Sequence, residues 1–135
     1  MEEVKKQGME SLFCPYEQAL ELKELGFDSK GYFGVWMMSN SYPELIIKGE
    51  LLSNDIIAPL WQQAFDWFAK NNLFISITRY RKSSIKNNPT IFTDLYDADI
   101  IDENNDLNVI VGEFNTYEKA REACLIELIK LCKKS

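Results

Sequence analysis

Leu73-Phe74-Ile75-Ser76-Ile77-Thr78-Arg79-Tyr80-Arg81 alternates along its length, with Phe74, Ser76, Thr78 and Tyr80 facing one way and Leu73, Ile75, Ile77 and Arg79 the other. A period of two sustained this far is the mark of a β-strand with two unlike faces. Beyond it, Lys82 to Pro89 reads as a polar loop, and Thr90-Ile91-Phe92-Thr93-Asp94-Leu95-Tyr96 resumes strand-like composition. Asp102-Glu103-Asn104-Asn105-Asp106 reads as a turn, and Leu107-Asn108-Val109-Ile110-Val111-Gly112-Glu113-Phe114 as the last strand. Strands joined by a short basic loop and a tight acidic turn pair antiparallel, because parallel strands need longer crossovers.

Three helices frame these strands, and each opens on an aromatic residue, two polar residues and an alanine. Tyr16-Glu17-Gln18-Ala19 follows Pro15, Trp61-Gln62-Gln63-Ala64 follows Pro59, and Tyr117-Glu118-Lys119-Ala120 follows Thr116. Positions three apart share a helical face, so the ring lies on a neighbouring layer while the alanine lets the helix axis come close. Pro15 starts the first helix and Gly26 supplies a left-handed stop, with Phe27 beyond it as a hydrophobic clasp. Trp61, Ala64, Phe65 and Phe68 give the second helix a broad apolar stripe, running to about Lys70. Thr116 suits the cap of the third, and Lys130, Lys133 and Lys134 suit its negative end. The unequal spacings of the three signatures, and the unlike segments between them, argue for similar packing demands rather than a tandem repeat.

In the first half, Gly31-Tyr32-Phe33-Gly34-Val35-Trp36-Met37-Met38 reads as a strand, Ser39 to Pro43 as a break, and Leu45-Ile46-Ile47-Lys48 as a short second strand followed by a connection through Asn54-Asp55. Residues 1–13 have little periodicity and read as a loose arm. The expectation is an arm at 1–13 and one α+β domain at 14–135, a mostly antiparallel sheet of four to five strands with three helices packed on it.

Apolar residues make up 46% of the 135 residues, too many for a disordered chain, and 17 aromatic rings must find places in one core or at its surface. Met1 to Lys6 is mixed in charge, unlike a secretory leader, and no apolar run reaches the roughly 18 residues of a membrane span. The expected compartment is the cytoplasm. Cys14, Cys124 and Cys132 cannot all pair within one chain, and reduced, buried thiols fit that compartment. The net charge of −6 is concentrated: Asp94, Asp97, Asp99, Asp102, Glu103 and Asp106 lie in a stretch without Lys or Arg, and the remainder holds 15 acids and 15 bases. Such a balance disfavours sequence-independent nucleic-acid binding, which needs cations on phosphates.

The three helix segments Pro15 to Phe27, Ala58 to Phe68 and Thr116 to Leu125 together resemble a group of short, uncharacterised proteins from gut Bacteroides-type bacteria and their phages or prophages. The resemblance covers most of the chain from Cys14 onward and implies a small cytoplasmic α+β protein of mobile-element type, with no activity, cofactor or catalytic residue attached. Lys82 to Asp106 departs most from the pattern.

Chemistry has little to work with. The chain has no histidine, hence none of the usual general bases, triad partners or zinc ligands, and the cysteines lack CxxC spacing. No glycine-rich phosphate loop or nucleophile elbow is present. No catalytic residue, cofactor or metal ligand is therefore assigned, and the expected role is a non-enzymatic interaction module whose partner is a protein, self-association included. Trp36, Met37 and Met38, with Tyr42 after them, form one candidate partner surface, since Met repacks readily and Trp and Tyr favour interface cores; core packing explains alternate members of the run equally well. Arg79, Tyr80, Arg81, Lys82 and Lys86 form a second, able to hold a single strand by stacking and phosphate contact, or simply to pair with nearby aspartates across a hairpin. Asp99, Asp102, Glu103 and Asp106 form a third, part of the carboxylates of 94–106 that either imitate phosphate in a phage-type inhibitor or make an ordinary solvated turn, while Asp102, Glu103, Asn105 and Asp106 are the oxygen donors a Ca²⁺ reading would use. The EF-hand ligand order is absent, and the solvated turn is the preferred reading.

Overall fold

The computed structural model describes residues 10–27, 34–39, 42–47, 55–85 and 88–134. Helix α1 (Tyr16–Glu24) precedes strands β1 (Gly34–Ser39), β2 (Tyr42–Ile47) and β3 (Ile56–Ala58). Helix α2 (Trp61–Lys70) leads to β4 (Leu73–Ile85), β5 (Asn88–Asp102) and β6 (Leu107–Phe114), and α3 (Tyr117–Lys134) ends the fold. The α+β class and antiparallel pairing stand as expected. The single sheet of four to five strands does not: there are two antiparallel sheets of three strands, ordered β2-β1-β3 and β4-β5-β6. Contacts divide the chain into two compact units, Met1–Trp67 and Phe68–Ser135, with the boundary inside α2.

In the first unit, β1 is the middle strand, its Trp36 opposite Leu45 of β2 and Ile56 of β3. These three residues join Phe13, Ala19 and Ala58 in a buried cluster against which Tyr16, Leu20 and Leu60 pack. The Trp36 indole N–H donates to the Cys14 carbonyl at 3.0 Å and the ring meets Tyr16 edge-on, with centroids 6.3 Å apart. Residues 10–14, mostly within the expected arm, are held from several directions. Phe13 bridges Leu60, the Cys14 N–H donates to the Pro59 carbonyl at 2.8 Å, and the Trp61 indole donates to the Ser11 carbonyl at 3.0 Å. The Phe13 ring also lies against Gly34, where a side chain would press on the ring and the Ile46 carbonyl.

The helix boundaries follow local chemistry. Gly26 (φ +94°) donates to the Lys23 carbonyl and Phe27 to the Leu22 carbonyl, the paired bonds of a left-handed helix stop, with Phe27 and Leu22 both buried. Pro15 lies just before the first helical residue. At the start of α2 the Gln63 side chain reaches back to accept the Leu60 N–H at 3.0 Å, half of a capping box. Thr116 caps α3 by accepting the Lys119 N–H at 3.2 Å.

In the second unit the expected strands run longer than their composition suggested. β4 continues through Lys82 to Ile85 and β5 begins at Asn88, so most of the expected polar loop is strand; Lys86 and residue 87 lie outside the described residues. β5 then continues past Tyr96 to Asp102. Along it Tyr96, Ala98 and Ile100 share one face. Ala98 and Ile100 are fully buried, and Tyr96 meets Tyr117 of α3 edge-on at 6.3 Å, so this is the face α3 covers. The helix contributes Ala120, Cys124, Leu125, Leu128 and Ile129, all buried, at the spacing of a single stripe. A bulge in β6 opposite Ala98 and Asp99 is made by Gly112 (φ +149°), a conformation that excludes most side chains.

Two further expectations shift in the first half. Tyr42 and Pro43 belong to strand β2 rather than to a break, and Ile56-Ile57-Ala58 pairs with β1 where only a connection was expected. Pro43 is tolerated because β2 is an edge strand, whose outer N–H groups have no ladder partner to lose.

Ala19, Ala64 and Ala120 are all buried, as the aromatic-x-x-Ala signature requires. Enlarging Ala64 to leucine inserts three carbons where none has room. The Ala64→Leu protein is expected to lose about 1–3 kcal/mol, read as a lower midpoint in chemical denaturation with unchanged slope.

Candidate functional site

The three candidate surfaces fare differently once the strands are paired. Arg79 and Arg81 lie on one face of β4, with Arg81 directly opposite Asp94. The Asp94 carboxylate takes both: Arg79 Nη2 at 2.8 Å on one oxygen and Arg81 Nε at 3.2 Å on the other. The hydrogen bond from Arg79, reinforced by the charges of both guanidinium groups, holds the Asp94 carboxyl below its ordinary range despite some desolvation, and raises Arg79 in turn. All three groups are largely solvated, so the pairing fixes geometry more than it adds stability. Tyr80 points to the opposite face, where its hydroxyl donates to the Glu113 carboxylate. That bond passes over the middle strand at Leu95, which is buried beneath it. The basic cluster is thus divided between two faces, and its arginines are engaged within the sheet.

The acidic segment is likewise divided. Asp97 and Asp99 alternate with the helix-facing residues and lie on the face of β5 away from α3, Asp97 exposed and Asp99 half-buried. Glu113, opposite Asp97, shares that face. Asp102 departs from the solvated turn expected of it, being only 6% exposed. Its Oδ1 accepts the N–H groups of Asn104 (3.0 Å) and Asn105 (3.3 Å), and its Oδ2 accepts the Asn105 amide at 2.8 Å. This turn also clasps the one between α2 and β4. The Glu103 N–H donates to the Asn72 carbonyl, the Asn104 amide donates to the Asn71 carbonyl at 2.8 Å, and the Asn72 amide donates to the Asn104 side chain. Asn72 (φ +64°) and Asp106 (φ +53°) adopt the left-handed conformation that such turns require. Glu103 and Asp106 project into solvent beside an open depression of about 340 Å³, also lined by Ile101, Leu107 and Asn108. Among the described residues no group of three His, Cys, Asp or Glu is placed to hold a metal ion.

The first surface survives in part. Trp36 is buried, its indole spent on the Cys14 carbonyl, so it belongs to the core. Met38 and Tyr42 are 53% and 75% exposed, and the register Met38↔Pro43 and Ser39↔Tyr42 places them at the same end of the β1–β2 hairpin. Met37, beside them, is also exposed. The hairpin end extends beyond the part of β1 flanked by β3, whose pairing stops at Trp36, and neither face there is sealed.

No disulfide joins Cys14, Cys124 or Cys132. Cys124 lies on the buried face of α3, and burial, with a smaller push from the Asp99 charge, lifts its thiol to about 11. Burial and then Asp102 raise Cys132 as well. Both shifts keep the thiols protonated and unreactive, opposite to the lowered values of catalytic cysteines. No helix among the described residues is long and apolar enough to cross a membrane. No protein-family profile, curated protein or solved structure matches this chain.

Two measurements check this account. Asp102→Ala removes a buried carboxylate that accepts three hydrogen bonds and holds the turn, and is expected to cost on the order of 1–3 kcal/mol in chemical denaturation; Asp106→Ala, exposed, is expected to change stability little. A thiol raised in the folded state favours folding while protonated, and that advantage is lost as pH rises from the unfolded value near 9 through about 11. The melting temperature of the native chain is therefore expected to fall across that window more steeply than that of Cys124→Ala.

Proposed function

We propose that this chain is a non-enzymatic interaction module whose partner docks on the end of the β1–β2 hairpin. The observation that carries the reading is the exposure of three large apolar side chains at one hairpin end, Met37 and Tyr42 on one face and Met38 on the other. Met supplies a surface that adapts to its partner, and Tyr an amphipathic anchor with few rotatable bonds. Pro43 blunts the adjacent edge, which favours recognition through side chains over unrestricted strand addition. The partner is a protein, and the resemblance to phage and prophage proteins makes a bacterial host factor the first place to look. The phosphate-imitating reading has fewer groups at its disposal, because Asp94 is taken by arginines and Asp102 by its own turn. The single-strand-binding reading has both its arginines, Arg79 and Arg81, engaged by the same Asp94.

Affinity capture from lysate of a Bacteroides-type gut bacterium, with the full chain as bait, tests the proposal. The expected result is one reproducible protein whose apparent affinity falls about tenfold or more for Met38→Ser/Tyr42→Ser, while Asp97→Asn/Asp106→Asn binds as the native chain does. A partner indifferent to the hairpin substitutions, or a small molecule turned over in a thermal-shift and activity screen, overturns it.

A further inference from the structure

A sheet edge presents a row of main-chain N–H and C=O groups that another strand can complete, and natural proteins blunt such edges with charge, proline or brevity. Most of the edges described here are blunted in these ways. β2 carries Pro43, β3 has only three residues, β4 carries Arg79, Arg81 and Lys82, and the length of β5 that runs on past β6 contains Pro89 and Asp94. β6 is the exception. Leu107 to Phe114 contains no Lys, Arg or Pro, and among the described residues only β5 pairs with it. The ladder skips Val111, so Asn108 and Ile110 on one side of the bulge and Glu113 on the other stand opposite Ile101, Asp99 and Asp97, all on the face α3 leaves uncovered. Ile110 is 82% exposed there.

That face is charged in one sense. No Lys or Arg occurs between Lys86 and Lys119, and the β4 residues that share the face alongside are Phe74, Ser76, Thr78 and Tyr80. The first cation of β4 to share it is Lys82, opposite Thr93 and past the end of β6. Carboxylates therefore flank Ile110 on both sides along the strand: Asp97 and Glu113, which also accepts the Tyr80 hydroxyl, on one, and Glu103 and Asp106 around the open depression beside Leu107 on the other. We infer that the β6 edge accepts, as a fourth strand, an extended segment of a basic partner protein, with an apolar side chain beside Ile110 and a Lys or Arg about two residues to either side. The main-chain bonds supply the attachment, and Ile110 gains by leaving water. The carboxylates select. They draw in cationic segments and, with a net charge of −6, repel a second copy of this chain, other acidic proteins and nucleic acid alike. The bulge twists the far end of β6 away and confines main-chain pairing to a few residues around Ile110. A short segment alone is accordingly expected to dissociate in the range of about 0.1–1 mM. The hairpin end plays no part in this recognition.

Titration of the isotope-labelled full chain with the acetylated, amidated peptide Thr-Lys-Thr-Val-Thr-Lys-Thr, followed by amide chemical shifts up to about 5 mM peptide, tests this. The expected result is saturable shifts at residues 107–111. Replacing both peptide lysines by Glu, or methylating all the peptide main-chain nitrogens, is expected to weaken binding about tenfold or more, the first by reversing the charge and the second by removing the donors that a strand addition needs. Ile110→Lys, an exposed substitution expected to leave the melting temperature unchanged, weakens the original peptide to a similar degree, and Asp97→Asn/Glu113→Gln weakens it about threefold or more. Met38→Ser/Tyr42→Ser binds it as the native chain does. A chain whose β6 amides do not move at the highest concentration overturns the inference. So does binding indifferent to peptide charge or to methylation, or binding that survives in Ile110→Lys and is lost in Met38→Ser/Tyr42→Ser.

Discussion

Strand β5 is paired on both sides along its C-terminal half, and that constraint orders the second unit. A middle strand has no free main-chain groups and only two directions in which to send side chains. Tyr96, Ala98 and Ile100 take the direction of α3, where the small Ala98 leaves room for a helix whose own contacts include Ala120. The aspartates between them must take the other. Three of the four aspartates of this strand land where their charge is either solvated or answered: Asp94 meets two guanidinium groups, Asp97 remains in water, and Asp102 ends the strand inside a turn that supplies three donors.

Much of this was legible in the chain, and the failures have physical causes. The alternation of Leu73 to Arg81, the stop at Gly26 and the cap at Thr116 are local effects, and local effects can be read without knowing the neighbours. Asp97-Ala98-Asp99-Ile100 also alternates, but Ile101-Asp102 reverses the pattern, and so short a period leaves the stretch between Tyr96 and the turn unassigned. Ile56-Ile57-Ala58 is too short to show any period, and only its pairing with β1 makes it a strand. Pro43 reads as a breaker because its missing N–H matters everywhere except on an edge, and which strand is an edge is a property of the topology. The division into two sheets was hidden for the same reason, since pairing of β1 with β3 rather than with a later strand is decided by nonlocal contact.

The candidate surfaces divide along a similar line. Residue type identified Met38 and Tyr42 correctly as exposed apolar groups, but grouped them with Trp36, whose indole is consumed by the Cys14 carbonyl. Side chains rich in hydrogen-bonding capacity are the hardest to assign from sequence, because a fold with unmet main-chain groups recruits them first. Trp36 and Trp61 hold the carbonyls of Cys14 and Ser11, Asn104 holds that of Asn71, and Asp102 holds a turn. The polar residues that looked most like a site are in several cases the internal fastenings of the fold.

Binding can therefore draw only on what the fold leaves unspent, and the remainder is mainly apolar. Carboxylates such as Asp97, Glu103 and Asp106 are well solvated, and water already satisfies them; a partner must strip that water before it gains anything. Met38, Tyr42 and Ile110 carry the opposite balance, since their hydration is unfavourable and covering them costs no hydrogen bond. The excess negative charge then acts at longer range, repelling acidic surfaces and leaving the choice of contact to side chains that gain by leaving water. The proposed interaction rests on that division between well-solvated carboxylates and a few exposed apolar groups.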